Sequence, residues 1–333
     1  MANPRLIEIV ARLGAARILV AGDLMLDEFI WGRVSRISPE APVPIVEVTS
    51  ESDFPGGAAN VARNVRELGA AVRVAGIAGA DAAGDRLLKL LDAAGIDTTL
   101  ILRDQAFSTT VKTRIIARHQ QVTRVDRERR AALTAAQTES IAAQLERAIE
   151  AVDAVIVADY GKGFLTQPLA DRIGAKALAA GKILAVDPHP NTSLVWPGAT
   201  VVKPNRREAF QQAGIAPSAA VDAPLEDRPL LEAARRLQEL WHPRCLLITL
   251  GARGMLLLDG DAPPLHLPAY AKDVFDVSGA GDTAISVLAL ALAAGATSGE
   301  AAELANRASA IVVGKLGTAT VTAAELAASI ARS

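Results

Sequence analysis

The sequence predicts an α/β protein, a mostly parallel sheet with helices on both faces, and three observations predict it. Short apolar runs rich in β-branched residues recur at 17–22, 72–77, 154–158, 183–187, 200–204, 245–249 and 255–258. Stretches of helical spacing separate several of them, at 61–68, 85–94 and 135–151. Such alternation implies βαβ units, whose strands are covered on both sides and therefore read as continuous apolar runs. Finally, acids and glycines gather just past the runs, where open α/β sheets bind ligands.

Composition narrows the class. The chain has 333 residues, half of them hydrophobic, and a net charge of −2. That is ample for a core, and with no linker in sight 1–333 is expected to be a single domain. No basic excess points to nucleic acid. The longest apolar run, after Asp282, is too short and too rich in glycine and alanine to cross a membrane. The N-terminus lacks a signal-peptide core, so a cytoplasmic location is expected. Cys245 sits in an apolar run, which makes it a buried thiol and leaves no disulfide or zinc framework. The segment 217–229 is expected to be a surface loop.

The first strand, 17–22, delivers Asp23 and Asp27 past its end, as ligand-facing acids or as loop and capping acids. The segment 31–49 contains Pro39, Pro42 and Pro44 and ends in an alternating run, the pattern of an edge strand or flap. Residues 110–126 are strand-like and polar. Together the two predict a small β-structure outside the main sheet, about 31–50 and 108–127, either a lid or a solvated edge sheet. Between them, Pro55-Gly56-Gly57-Ala58-Ala59-Asn60 runs into the helix at 61–68. Its small residues would let a ligand approach the backbone, with the Asn60 amide offered to hydroxyls; a plain helix-start turn fits equally.

Three strand ends carry polar sets. Asp159-Tyr160-Gly161-Lys162-Gly163 suits a polyol or phosphate, or is a β-turn with a salt pair. Asn205 and Glu208 have capping-box spacing at a helix start, and could alternatively hold Mg²⁺ through water. Thr249-Leu250-Gly251-Ala252-Arg253-Gly254 is a glycine turn able to approach a nucleotide, or a hairpin turn. His119, His189, His242 and His266 have no metal-ligand spacing.

The stretch that organises these features is Val277-Ser278-Gly279-Ala280-Gly281-Asp282-Thr283, which opens a helix apolar on every side. A helix N-terminus attracts anions, so a carboxylate there competes with any phosphate. The conflict disappears if Asp282 is a base, set beside a phosphoryl group to deprotonate the attacking hydroxyl. An N-cap by Ser278 or Asp282 is the plain alternative. The spacing Gly279-x-Gly281-x-x-Ala284 also fits a dinucleotide fingerprint, but no strongly apolar first strand precedes it. A Walker-A loop is absent.

Gly56-Gly57-Ala58-Ala59-Asn60, Asn205-x-x-Glu208 and Gly279-Ala280-Gly281-Asp282, in that order and spacing, resemble the PfkB/ribokinase family of sugar kinases across essentially the whole chain. The resemblance implies a ribokinase-like fold with a small β-lid. Within the family, Ile37–Pro44, Val111–Arg114, His119–Gln121, Asp159–Gly163 and Gly314–Val321 look like the bacterial D-glycero-β-D-manno-heptose 7-phosphate kinases. Those enzymes serve ADP-heptose synthesis for lipopolysaccharide and are often fused to an adenylyltransferase. This sequence ends at Ser333 without His-x-Gly-His, so it resembles a stand-alone kinase or a kinase half. A separate adenylyltransferase is then an expected partner.

By position, the resemblance makes Asp282 the base and Gly279, Ala280 and Gly281 the backbone anion hole. Asp27, Gly56, Gly57, Asn60, Asp159, Lys162 and Arg114 would face a heptose phosphate. Thr249, Gly251, Gly254 and Asn306 would line the ATP site, where Asn205 and Glu208 reach Mg²⁺ through water. Lys162 with Arg33, Arg114 or Arg118 would bind the distal phosphate, and a homodimer would form through the lid. The rival readings are a kinase of another sugar, a nucleotide-binding regulator without turnover and, more remotely, a Rossmann oxidoreductase.

Overall fold

Successive residues of a strand face opposite sides, so a strand apolar throughout needs two covers. In β1 (Arg17–Gly22), Ile18 and Val20 enter one core while Leu19 and Ala21 enter another. The computed structural model describes residues 3–117, 120–129, 132–271 and 274–332. The remaining strands are β2 (Leu24–Ile37), β3 (Pro44–Gly57), β4 (Ala71–Gly79), β5 (Asp97–Asp104), β6 (Thr110–Ala117), β7 (Gln120–Arg127), β8 (Ala154–Ala158), β9 (Ile183–Asp187), β10 (Val201–Val202), β11 (Cys245–Thr249), β12 (Met255–Asp259) and β13 (Leu265–Leu267). The helices are α1 (Pro4–Arg12), α2 (Ala58–Glu67), α3 (Ala82–Ala93), α4 (Ala135–Glu150), α5 (Gln167–Ala179), α6 (Arg206–Gln212), α7 (Arg228–Trp241), α8 (Ala280–Ala293), α9 (Ser298–Val313) and α10 (Ala323–Ala331).

The main sheet runs β13-β12-β11-β10-β9-β8-β1-β4-β5. It is parallel from β5 to β11 and closes with two antiparallel pairings at the β13 edge. One face carries α1, α2, α3, α8, α9 and α10, and the other α4 to α7. The expected fold class is therefore the observed one. α8 is buried from Thr283 to Leu292 because α2 and α9 flank it against the sheet. Its few polar side chains are satisfied: Thr283 donates to Asn64 Oδ1 at 2.7 Å, and Ser286 to the Asp282 carbonyl at 2.7 Å.

The second sheet, β3-β2-β6-β7, is the β-lid, and it is longer than expected. Its long hairpin spans 24–57 rather than about 31–50, because β2 starts one residue after β1 and β3 runs straight into α2. The helix there begins at Ala58, three residues earlier than expected. The strand-like polar stretch 110–126 contributes two strands, β6 and β7, paired antiparallel. Pro44 opens the edge strand β3, while Pro39 and Pro42 lie in the turn before it, positions that need no ladder N–H. The sequence reading had no counterpart for α1 or β5, and the loop 217–229 holds a short 3₁₀ turn and the cap of α7.

Asp23 lies between β1 and β2, and it is not a ligand-facing acid. Buried, it accepts the N–H groups of Tyr160, Lys162 and Phe164 at 2.9, 3.0 and 3.1 Å. Those bonds fix the loop after β8 against the point where the lid leaves the sheet.

Candidate active site

The first turn of α8 opens beside the carboxyl ends of β8, β9 and β10. Its N-cap, Gly279, has φ +80°, which an L side chain rarely adopts, and a Cβ there would come 3.1 Å from Asn60 Nδ2. No side chain caps this helix, so neither Ser278 nor Asp282 is an N-cap. The Ala280 N–H donates to the Val277 carbonyl at 3.3 Å, which removes it from the expected anion hole. The N–H groups of Gly279, Gly281 and Asp282 have no acceptor among the described residues.

Asp282 is enclosed by donors. Asn60 Nδ2 donates to its Oδ2 at 2.6 Å, and the Tyr160 hydroxyl donates to its Oδ1. Burial raises the Asp282 carboxyl above its ordinary value; those two hydrogen bonds and the Lys203 charge oppose the rise, and Asp27 adds to it. A base needs such an elevated proton affinity. Burial and the Asp282 charge push the Tyr160 phenol well above its usual value, so it remains a donor. Asn60 thus orients Asp282 with its amide nitrogen, and its Oδ1 is buried without a hydrogen-bond partner. Across the turn lies Thr318, whose buried hydroxyl has no partner either and whose Cα is 3.9 Å from the Cβ position of Gly279.

Two charged residues here escaped the sequence reading. Asp187 ends β9 and Lys203 follows β10, and parallel pairing brings them together with Nζ to Oδ1 at 3.0 Å. Burial pushes the Asp187 carboxyl up to about 7, against the pull of Lys203. Asn205 and Glu208 form a reciprocal capping box on α6: Glu208 N–H donates to Asn205 Oδ1 at 3.0 Å and Asn205 N–H to Glu208 Oε2 at 2.7 Å. The capping reading therefore holds, and Glu208 Oε1 keeps its lone pairs.

Inside the lid, Asp27 faces Arg114, with Oδ1 to Nη1 at 2.9 Å, the aspartate buried and the arginine half-buried. This is an ion pair without hydrogen-bond alignment, since neither atom has a hydrogen-bond partner. Arg114 also lies over the Phe29 ring. Gly56 makes room for Asp27, because a Cβ would sit 2.9 Å from its Cγ, and Gly57 is the N-cap of α2. Lys162 pairs with Glu128 at 2.5 Å. Lys112, half-buried opposite Asp27, has no ion-pair or hydrogen-bond partner among the described residues. Burial and the Lys162 charge lower its ammonium below the ordinary value. Arg33 is exposed, while Arg118 and His119 lie outside the described residues.

Asp159 departs from its expected role. It accepts the Gly161 N–H at 2.8 Å and the Thr192 hydroxyl, so both oxygens hold loops in place. Burial pushes its carboxyl up to about 6. Asn306 is likewise occupied, donating to the Pro268 carbonyl at 2.8 Å. Thr249 ends β11 beside Asn205, and Gly251 opens an exposed turn. Gly254 closes the β11–β12 hairpin at φ +84°, where a Cβ would lie 2.0 Å from the Leu267 carbonyl oxygen. Among the described residues, no three His, Cys, Asp or Glu side chains converge into a metal cage.

Residues 15–325 match the profile of the pfkB family carbohydrate kinases. The chain is 46% identical over 322 residues to the bifunctional protein HldE of Desulfatibacillum aliphaticivorans, covering 96% of this chain and 64% of that one. It is 47% identical over 314 residues to the HldE of Caulobacter vibrioides, covering 93% and 62%. It thus spans a little under two thirds of the length of these relatives. In fold it is similar to Arabidopsis thaliana ribokinase complexed with ribose and ATP, at TM-score 0.72, 16% identity and coverage of 95% and 98%. Escherichia coli phosphofructokinase-2 with substrates and products gives 0.74, 18%, and 95% and 99%. No described helix is long and apolar enough to cross a membrane.

The raised Asp159 carboxyl makes stability depend on pH. The folded chain binds this proton more tightly than the unfolded chain, so the contribution is full below about pH 4 and is lost as pH rises through about 6. Asp159→Asn keeps an acceptor for Gly161 and removes that loss. Relative to the parent, the variant should gain on the order of 2–3 kcal/mol between pH 4 and pH 8, from a shift of about two pKa units. Urea unfolding at both pH values measures this; an equal difference at the two would refute it.

Proposed function

The chain belongs to the pfkB family of carbohydrate kinases, and from that premise we propose that it transfers the γ-phosphoryl group of ATP to the anomeric hydroxyl of D-glycero-β-D-manno-heptose 7-phosphate. The observation that carries the reading is the Asp282 carboxylate, enclosed at the anion-attracting end of α8 and oriented by Asn60 and Tyr160. The heptose phosphate is supported by the HldE relatives and by the lid and Asp159–Gly163 stretches that resemble heptose kinases.

Asp282 takes the proton of the attacking hydroxyl as the new O–P bond forms and the bond to ADP breaks. The N–H groups of Gly279 and Gly281 face the charge that develops on the transferring group. ATP lies toward Thr249, Gly251 and Gly254, with Asn306 fixing the strand behind. Asn205 and Glu208 supply hard oxygens suited to a magnesium ion held through water, Glu208 Oε1 above all. When bound, the ion neutralises charge on the phosphates. Lys112, Lys162 and Arg114 form the cationic wall for the distal phosphate, around Asp27, which faces the sugar hydroxyls. A cytoplasmic location and a second, adenylyl-transferring unit, fused or separate, belong to the same reading.

Replacing Asp282 with Asn should leave the fold intact and lower kcat by roughly 10²–10⁴, the range for a general base. ADP release with heptose 7-phosphate, sedoheptulose 7-phosphate, fructose 6-phosphate, fructose and ribose measures both points. A loss under tenfold would refute the base, and turnover only on another sugar would overturn the substrate. Lys112→Met should raise the sugar-phosphate KM by about 10–100-fold, as loss of a charge-assisted contact does, with the ATP KM unchanged. Equal KM values for both enzymes would remove Lys112 from the site. We further infer a homodimer through the lid, which exposes Ile37 at the end of β2 and Val48 and Val125 on its outer strands. Sedimentation velocity should give twice the chain mass, and Val48→Glu with Val125→Lys should return it to a monomer; a monomeric parent excludes this.

A further inference from the structure

Lys203 is a buried cation that this mechanism leaves without a task. Only 3% of its side chain is exposed, and Asp187 Oδ1 holds its Nζ at 3.0 Å. A Cβ built on Gly281 would sit 3.7 Å from that Nζ, so the ammonium stands against the first turn of α8, next to the base. Asp187, Glu208 and Asp282 all act on this one ammonium. Burying an ion pair is expensive, and a core position would be served as well by an apolar side chain. On the far wall of the same turn, Asn60 Oδ1 and Thr318 Oγ1 are buried and have no hydrogen-bond partner.

We propose that Lys203 is a catalytic residue of the phosphoryl transfer, its ammonium touching the oxygens of the phosphoryl group in flight while Asp187 fixes its position. The proposal rests on the kinase reading above. Lys203 keeps its proton throughout: the hydroxyl proton goes to Asp282, the sugar oxygen gains the O–P bond, and ADP departs with the electrons of the bond that breaks. A cation fixed in advance where charge spreads over the equatorial oxygens stabilises the transition state more than bound ATP, so its loss appears in kcat.

The test uses two variants of the full chain. Lys203→Met combined with Asp187→Asn removes both charges and leaves no unpaired ion. Lys203→Arg keeps the charge but moves it. Calorimetry compares Mg-ADP with Mg-ADP, aluminium fluoride and heptose 7-phosphate together, a mimic of the group in transit. The double variant should bind Mg-ADP within about threefold of the parent, lose about 100-fold or more for the mimic, and lose roughly 10²–10³ in kcat, as removal of one preorganised donor does. Lys203→Arg should lose about tenfold for the mimic alone. If either folded variant binds the mimic as tightly as the parent, the assignment is overturned. A parent chain that turns over no sugar and binds no mimic overturns the kinase reading itself, and that shows before any variant is made.

Discussion

The site depends on holding one half-buried carboxylate against the cost of desolvation. Desolvation raises the free energy of an ionised Asp282, and the opposing terms come from separate parts of the chain. The first turn of α8 contributes its dipole, α2 contributes Asn60, the loop after β8 contributes Tyr160, and the end of β10 contributes Lys203. None works unless its element is in place. α8 is therefore locked by a largely apolar surface and by Thr283, whose hydroxyl ties it to Asn64 on α2. The helix that carries the base is fixed by the protein's larger core, so the base inherits that rigidity.

A second layer of acids holds the loops that hold the base. Asp23 gathers the N–H groups of Tyr160, Lys162 and Phe164, and Asp159 gathers Gly161 and Thr192. Tyr160 can therefore meet Asp282 only because Asp23 positions its backbone. The same loop supplies Lys162 to the lid side, so one buried carboxylate sets both the base and a cation expected to face the distal phosphate.

The fold was legible because its signals are long and local. Parallel strands covered on both faces read as apolar runs, and the strands at 17–22, 154–158, 183–187 and 245–249 came out as expected. The motif at 279–282 and the box at 205–208 were legible too, each as one continuous stretch. What stayed hidden depends on neighbours in space. A lone aspartate at a strand end looks the same whether it faces a ligand or backbone N–H groups, which is why the alternatives for Asp23 and Asp159 stayed open in the sequence. Asp187 and Lys203 meet only because β9 and β10 are adjacent, and strand order is not written in either segment. Lys112 became visible only when β6 was laid parallel to β2, opposite Asp27. The lid's early start had a usable signal, the alternation of Met25, Asp27, Phe29 and Trp31, which the apolar Leu26 and Ile30 between them masked.

The lid cations are unequal, and their partners decide how each can act on a phosphate. Asp27, opposite Arg114, is 7% exposed, whereas Glu128, opposite Lys162, is 40% exposed. An exposed ion pair is worth about 0–1 kcal/mol, so Lys162 can exchange Glu128 for an incoming phosphate at little cost. Separating Arg114 from Asp27 would leave a buried carboxylate uncompensated, which costs several kcal/mol. Arg114, held over the Phe29 ring, therefore stays with Asp27, which under the proposed function it would orient toward the sugar. Under the proposed function Lys112, with no partner to give up, is the cation freest to meet the distal phosphate, and an arriving negative charge would oppose the burial that lowers its ammonium. Under the proposed function the wall thus divides its work: Lys112 waits, Lys162 exchanges and Arg114 holds.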